Sequence, residues 1–157
     1  MSTPSAASLK DRITDDMKSA MKAKEAERLG SLRMLKSSLK YAVIEKGAAN
    51  EAALADADVI SVVRKRIKQC QDAIDGFTQG GREEQAAKEK AEIALLESYL
   101  PAALSVDELA MLVRDAIAET GATGKAQMGA VMKAVMAKAG GRVDGKAVNA
   151  EVLKQLV

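Results

Sequence analysis

An apolar stripe at helical spacing constrains the fold more than any other part of this sequence. Apolar residues recur at intervals of 4, 4, 3, 4 and 3, at Val59, Val63, Ile67, Cys70, Ile74 and Phe77. This spacing places them on one face of an α-helix, whereas one face of a β-strand would need a period of two. The segment is therefore predicted to be a long amphipathic helix with one buried face.

The remaining apolar residues also favour helices. Hydrophobic residues make up 48% of the chain and aromatic residues only 2%, and the apolar part is mostly Ala, Leu, Val and Met, which form or tolerate helices. We therefore predict an all-α protein with four helices before Pro101 and three after it. The predicted domains are an N-terminal helical bundle, residues 1–101, and a C-terminal three-helix domain, residues 102–157.

Capping residues define the predicted ends of the first helices. Ser8 is expected to cap a helix that runs to about Lys24, and Gly47 is expected to end the second helix. Either Asp56 or Asp58 is expected to cap the third helix. The fourth helix, residues 82–100, is predicted to end before a proline, which lacks an amide donor.

The C-terminal helices have equally clear signals. Ser105 and Glu108 have the spacing of a capping box, in which each side chain bonds to the backbone amide of the other residue. Gly121 is expected to close that helix. The next helix carries Met128, Met132 and Met136, which we interpret mainly as core. The glycine pair 140–141 is expected to end it, and Asp144 to cap the last helix.

The residue types exclude several kinds of chemistry. The chain has no histidine and a single cysteine, so Ser–His and Cys–His nucleophile activation are impossible within it and a zinc site is not expected. Cys70 lies on the apolar stripe and is interpreted as a buried small hydrophobic residue. We predict no catalytic residues, no metal and no cofactor.

The sequence also predicts a cytoplasmic protein. Its first twelve residues, MSTPSAASLKDR, contain no apolar run, so neither a signal peptide nor a presequence is expected. No stretch approaches the roughly 18 apolar residues of a membrane span. One cysteine is consistent with a reducing compartment.

Positive charge is concentrated near the C-terminus. Residues 120–157 contain six basic and two acidic side chains, a net charge of +4 in a chain of net charge +2. Such an asymmetry favours an anionic partner. By contrast, the basic run Arg64-Lys65-Arg66 with Lys68 is interpreted as a solvated helix face, because acidic residues follow it closely.

One segment resembles a nucleotide-binding loop. Residues 140–146 match GxxxxGK, but Ala147 stands where the pattern needs Ser or Thr, and an amphipathic helix precedes the glycines where a strand would be required. We therefore interpret the segment as a helix stop, a turn and a helix start. Arg142 and Lys146 flank that helix start, where amide donors and positive charge together suit a phosphate.

Four ordered motifs resemble the GatB/YqeY family. They are Arg28-Leu29-Gly30-Ser31-Leu32-Arg33-Met34-Leu35-Lys36, Tyr99-Leu100-Pro101, Met128-Gly129-Ala130-Val131-Met132, and Gly141-Arg142-Val143-Asp144-Gly145-Lys146. The resemblance covers nearly the whole chain. It implies a helical bundle followed by a three-helix domain similar to the tail of the GatB subunit of tRNA-dependent amidotransferase.

In the larger enzyme the tail is implicated in holding tRNA, so the resemblance implies a tRNA-binding or RNA-binding accessory protein. The candidate binding residues are Lys125, Lys133, Arg142, Gly145 and Lys146. The amidase and ATP-binding parts of the enzyme have no counterpart here, so a carbon–nitrogen ligase label would be inherited without intrinsic activity. Two alternatives stay open: an adaptor that engages an aminoacyl-tRNA synthetase or an amidotransferase assembly, and an enzyme that acts on glutamine or aminoacyl-tRNA.

Overall fold

Seven α-helices account for most of residues 8–140 and 142–156, the part of the chain that the computed structural model describes, and no β-strand occurs in that part. The all-α prediction is thus confirmed. The helices are α1 (Leu9–Lys22), α2 (Ala26–Lys46), α3 (Asp56–Gln79), α4 (Glu83–Glu97), α5 (Val106–Thr120), α6 (Met128–Ala139) and α7 (Gly145–Gln155).

The chain divides into two compact units, residues 1–99 and residues 100–157. The first contains α1–α4 and the second α5–α7. The folding of the two predicted domains as separate bodies stays a prediction. No helix among the described residues is both long and apolar enough to cross a membrane.

The first unit is built around the packing of α3 on α4. Its buried side chains come from all four helices and from the turn after α4, and include Ile13, Leu32, Leu35, Leu39, Val59, Val63, Leu96 and Tyr99. The α4 helix ends at Glu97, earlier than the proline signal predicted, and the next turn inserts Tyr99 into this core. The Tyr99 hydroxyl donates a hydrogen bond of 2.5 Å to the Asp16 carboxylate of α1, so α4 and α1 are joined through a buried aromatic ring.

The predicted Ser8 cap of α1 and the predicted Gly47 end of α2 are confirmed, α1 ends at Lys22, two residues before the predicted Lys24, and the predicted cap of α3 is wrong. The Ser8 hydroxyl accepts from the Asp11 amide, and Gly47 adopts a left-handed conformation with φ of 67°. The N-cap of α3 is Ala55, not Asp56 or Asp58. Asp58 lies three residues inside the cap and accepts a hydrogen bond of 2.9 Å from the Ala55 amide. An aspartate at that position satisfies the cap amide without being the cap itself.

The basic run in α3 is only partly solvated, contrary to the sequence interpretation. Lys65 and Lys68 are exposed, but Arg66 is largely buried and forms an ion pair with Glu92 of α4. Helix α3 packs on α1, α2 and α4 and so has little fully exposed surface, and Arg66 of the run falls at the α3–α4 contact.

The second unit is a three-helix arrangement with a core of small aliphatic side chains. The fully buried residues are Val113, Ala116, Val131, Val135, Val148 and Val152. The predicted capping box is present: Ser105 Oγ accepts from the Glu108 amide at 3.1 Å, and Glu108 accepts from the Ser105 amide at 2.8 Å. Left-handed glycines, Gly121 and Gly140, end α5 and α6, because their φ above +50° strains other residues.

The methionines of α6 are less central than predicted. Met128 and Met132 are half-buried at the edge of the valine core, and Met136 is exposed. Valines at positions 131 and 135 occupy the centre of the face instead. Among the described residues, no atom beyond the backbone of α6 itself lies within 4 Å of the place where a Cβ of Gly129 would lie.

Candidate nucleic-acid interface

Hydrogen bonds within the second unit fix the residues on either side of Gly141, where α6 ends and α7 begins. Gly140 ends α6 with φ of 58°, and the Arg142 amide donates to the Ala139 carbonyl at 3.1 Å. Asp144 then caps α7, its carboxylate accepting from the Ala147 amide at 2.7 Å. The Asp144 prediction is confirmed and so is Gly140 as the end of α6, while the predicted role of Gly141 lies outside the described residues.

The start of α7 is a weaker anion site than its sequence alone indicates. The Ala147 amide bonds to the Asp144 side chain and the Val148 amide bonds to the Asp144 carbonyl. Gly145 and Lys146 supply the two remaining amides of the first turn. A carboxylate at a helix N-terminus also offsets the positive end of the helix dipole. An incoming phosphate therefore meets two amides, the Lys146 ammonium and one nearby negative charge.

Arg142 is engaged within its own unit. Its Nε donates to the Ala102 carbonyl at 3.1 Å, and its guanidinium lies 4.0 Å from the Glu108 carboxylate. Its backbone carbonyl accepts from the Leu104 amide at 3.0 Å. Arg142 thus holds the segment before α5 against the α6–α7 turn. The pKa of Glu108 is lowered, chiefly because its carboxylate accepts hydrogen bonds from Ser105, with a smaller contribution from Arg142.

The other candidate residues point into solvent. Lys125 lies in a short 3-10 turn before α6, Lys133 lies on α6, and Gly145 and Lys146 begin α7; all four are exposed. No acidic partner within the described residues contacts Lys125, Lys133 or Lys146, nor Lys154 near the end of α7. These four ammonium groups are thus available to an external anion.

Charge is distributed unevenly among the three helices. Helix α5 carries four acidic residues and one basic residue, whereas residues 121–157 carry two acidic and six basic ones. Two of those six, Lys138 and Arg142, are turned to acidic partners of α5, Glu119 and Glu108. The surface of α6 and α7 therefore keeps the free positive charge, and that of α5 is acidic.

Sequence reasoning missed two properties of this surface. It counted Lys154 as a basic residue but did not include it among the candidates. It also made nothing of three small residues, Gly129, Ala130 and Ala137, which are exposed on α6 beside Lys133. Small side chains around a lysine leave the backbone open to a bulky partner such as a nucleic-acid strand. The signal was present in the sequence, as small residues at positions three and four away from Lys133.

The nucleotide-binding interpretation of residues 140–147 receives no support from the described fold. Helix α6 precedes the turn and α7 follows it. A P-loop needs a strand before the glycines and a hydroxyl after the lysine, and the residue after Lys146 is Ala147. The segment connects two helices.

One group of side chains elsewhere has potential metal ligands. The ligand atoms of Cys70, Glu89 and Glu92 lie within 4.8 Å of one another. The Glu92 carboxylate is already paired with Arg66. Burial, and then a hydrogen bond to Glu89, raise the pKa of the Cys70 thiol to about 12. The Cys70 thiol and both carboxylates thus already have partners in the fold, and the three side chains form a hydrogen-bonded contact between α3 and α4.

The chain is similar to one family profile and to several known proteins. The profile of the Yqey-like protein family matches residues 10–156. A Pyrenophora tritici-repentis protein named Altered inheritance of mitochondria protein 41, mitochondrial, is 29% identical over 151 residues, covering 93% of this chain and 77% of the fungal protein. A protein of the same name from Eremothecium gossypii is 30% identical over 100 residues, 62% of this chain and 53% of that protein.

An uncharacterised protein of Schizosaccharomyces pombe is also similar. It is 30% identical over 82 residues, which are 52% of this chain and 63% of the yeast protein. The family match spans α1 to α7, and so covers both units of the structure.

Proposed function

The chain belongs to the family of Yqey-like proteins, as its four motifs predicted, and from this premise we propose that it is a non-catalytic RNA-binding protein. Its second unit would hold structured RNA, with tRNA as the first candidate, through Lys125, Lys133, Lys146 and the two amides that begin α7. The observation that carries the proposal is the set of free ammonium groups on α6 and α7, beside an α5 whose charge is acidic. Arg142 supports the turn that leads into Gly145 and Lys146 at the start of α7.

The chemistry of the surface favours binding to the phosphate backbone over base reading. Lysine and backbone amides contact phosphates without reading sequence. The only aromatic residues of the chain are Tyr41, Phe77 and Tyr99, all in the first unit, so α5–α7 have no ring on which a base could stack. Recognition of a folded RNA by shape and charge is consistent with that composition.

A cytoplasmic location is part of the proposal. It is supported by a single cysteine that is a buried free thiol, as proteins of reducing compartments have. The names of two relatives contain the word mitochondrial. Fractionation of the cells that produce the protein distinguishes the two compartments.

The test is a titration of the full chain with total tRNA at 50 and 200 mM salt, followed by fluorescence anisotropy of labelled tRNA. If three or four phosphates are neutralised, the affinity should fall roughly 40- to 150-fold between the two salt concentrations. The variant Lys133→Glu/Lys146→Glu should lose at least about tenfold in affinity at low salt. Its salt slope should fall by about two, because each lysine contributes about one unit.

The matched control is Lys18→Glu/Lys68→Glu, which changes the net charge by the same amount on exposed positions of the first unit. It should keep the affinity within about threefold, the size of a general charge effect. The proposal fails if tRNA does not bind at low salt, or if the two double variants lose affinity equally.

Substitution of Asp144 gives an independent prediction, in which the tRNA affinity rises instead of falling. Asparagine caps helices as well as aspartate does, so Asp144→Asn should lower the stability by no more than the roughly 0.3–1 kcal/mol of one charge at a helix terminus, while removing the negative charge beside Lys146. The tRNA affinity at low salt should rise about two- to fivefold, the equivalent of the 0.3–1 kcal/mol typical of one charge at a helix terminus.

The alanine variant separates the two roles of the same side chain. Asp144→Ala removes both charge and cap, so it should bind tRNA at least as tightly as the natural chain but unfold at a lower temperature, by about 1 kcal/mol of stability. Weaker binding by Asp144→Asn would contradict the placement of the phosphate at the start of α7.

A further inference from the structure

Helix α2 has a second apolar face, opposite the one it buries. Residues at intervals of 4, 3, 4 and 3 are all exposed on this face, and we call them the α2 seam: Gly30, Met34, Ser37, Tyr41 and Ile44. Met34 is 53% exposed, Tyr41 69% and Ile44 74%. Large apolar side chains repeating at this spacing in solvent are the pattern of a helix that packs on another helix.

The seam is not a consequence of poor packing in the first unit. Leu32, Leu35 and Leu39 of the same helix are fully buried, and they lie on the opposite side of α2, about half a turn from the seam. Helix α2 therefore contributes one complete face to the core of its own unit. The seam is additional apolar surface.

Two grooves run beside the seam on the same side. One, of about 720 Å³, is lined by Gly30, Ser31 and Met34 of α2 and by Lys88, Ala91 and Leu95 of α4, among others. The second, of about 220 Å³, lies between Ser38, Tyr41 and Ala42 of α2 and Val62, Lys65 and Gln69 of α3, among others. Small residues on α2 open both grooves, so a partner helix could lie along the seam with its side chains in them.

The free charges around the seam are predominantly positive. Arg33 and Lys40 flank it on one side, and Lys88 and Lys65 stand across the two grooves on the other. None of the four has an acidic partner within the described residues, whereas the acidic residues of the groove walls at positions 89 and 92 contact Cys70 and Arg66. Glu27 and Glu45 are the acidic side chains that remain near the seam.

We propose that the α2 seam is a docking site for an amphipathic helix of a partner protein, with apolar residues at three- and four-residue spacing and carboxylates along both sides. The apolar anchors would lie on Met34, Tyr41 and Ile44, and the carboxylates would face the cations on the two sides. This site is in the first unit and is independent of the RNA surface proposed for the second.

A nucleic acid suits the seam less well than a helix does. Burial of Met34 and Ile44 is favourable only against apolar atoms, and a phosphate backbone offers few of them. Tyr41 alone provides a stacking surface among the seam residues. The combination of an apolar stripe with charge on its flanks is the recognition pattern of a helix in a groove.

The test uses the full chain and three labelled 18-residue peptides. The first has leucines at three- and four-residue spacing with glutamates on both sides, the second has the same composition in shuffled order, and the third replaces glutamate by lysine. The first should bind at least about tenfold more tightly than the other two, as measured by fluorescence anisotropy. Arg33→Glu/Lys40→Glu should reverse the preference in favour of the lysine peptide.

Neutral substitutions distinguish binding at the α2 seam from nonspecific hydrophobic binding. Tyr41→Gln/Ile44→Gln should weaken the acidic peptide at least about tenfold. Val106→Gln/Met111→Gln, which removes equally exposed apolar side chains from α5, should not weaken it, and circular dichroism should show unchanged melting for both. Equal binding of all three peptides would overturn the proposal. So would loss of tRNA affinity, or dissociation of a dimer of the chain itself, in Tyr41→Gln/Ile44→Gln.

Discussion

Replacing Glu92 by alanine should lower the free energy of unfolding of the first unit by about 3 kcal/mol or more, because it leaves Arg66 buried without its carboxylate. Arg66 of α3 and Glu92 of α4 form an ion pair in which the side chains are only 15% and 13% exposed. The Nε atom of Arg66 is buried and has no hydrogen-bond partner within the described residues. The carboxylate is therefore its principal electrostatic compensation.

The double variant Arg66→Met/Glu92→Leu gives a contrasting expectation. Breaking a buried pair leaves an uncompensated charge, whereas replacing both members by apolar side chains of similar size is often neutral or stabilising. We expect the double variant to lie within about 1 kcal/mol of the natural chain, well above Glu92→Ala.

Urea unfolding, monitored by tyrosine fluorescence, measures this difference in stability in the first unit of the structure. Both tyrosines of the chain belong to the first unit, and Tyr99 is buried there. Glu25→Ala is the matched control, since the Arg28–Glu25 pair has similar chemistry on the surface and exposed pairs contribute little. A Glu92→Ala loss no greater than that of the control would contradict the burial of the pair, and so would an equal loss in the double variant.

Sequence predicted the elements of this fold that depend on local signals. Ser8, Gly47, the Ser105–Glu108 box, Gly121 and Asp144 end or begin helices as expected. Each of these signals acts within one turn of the chain, so a single sequence contains all the information that it needs. The predicted cap of α3 was wrong, but the true cap lies close to it in sequence. Ala55 is the N-cap residue, and the Asp58 side chain accepts the hydrogen bond from its amide.

The pairing and burial of side chains against neighbouring helices could not be predicted from local signals. The run at residues 64–66 shows charge but not which of its members faces α4, and the count of basic residues near the C-terminus does not show that Arg142 is bonded to Ala102 and Glu108. The spacing of Met34, Tyr41 and Ile44 is visible in the sequence. It does not show that these residues are exposed, because α2 also has the apolar face that the fold buries. Whether a side chain is free depends on partners that are close to it in space but distant in sequence.

The reactivity of the Cys70 thiol also depends on the neighbouring helix, and the expected effect is large. In the folded chain its thiol should react with a disulfide reagent at pH 8 about 1000-fold more slowly than in the unfolded chain, because the thiolate is the reactive form. Burial is the main cause, and a hydrogen bond to Glu89 is the second; together they raise the pKa of Cys70 from 9.0 to about 12. The side chain is also only 2% exposed, which slows the reaction further.

The pH dependence follows from the sign of that shift. The reaction rate of the folded chain should rise about tenfold per pH unit from pH 8 to pH 11, whereas that of the urea-unfolded chain should level off near its lower pKa. The raised pKa also contributes to stability, fully below about pH 9 and progressively less as the pH rises toward about 12, because only the unfolded state loses the proton in that interval. The natural chain should therefore lose stability above pH 9 more steeply than Cys70→Ala.

A cysteine moved along the same helix is the control for both measurements. Ser61→Cys/Cys70→Ala places the thiol at an exposed position of α3, where water solvates the thiolate and the reagent has access. Its reaction rate should be close to that of the unfolded chain, and its stability should not fall more steeply than that of Cys70→Ala above pH 9. Similar rates for Cys70 and the exposed thiol would mean that α3 and α4 separate readily, so that the contact formed by Cys70, Glu89 and the Arg66–Glu92 pair is open for much of the time.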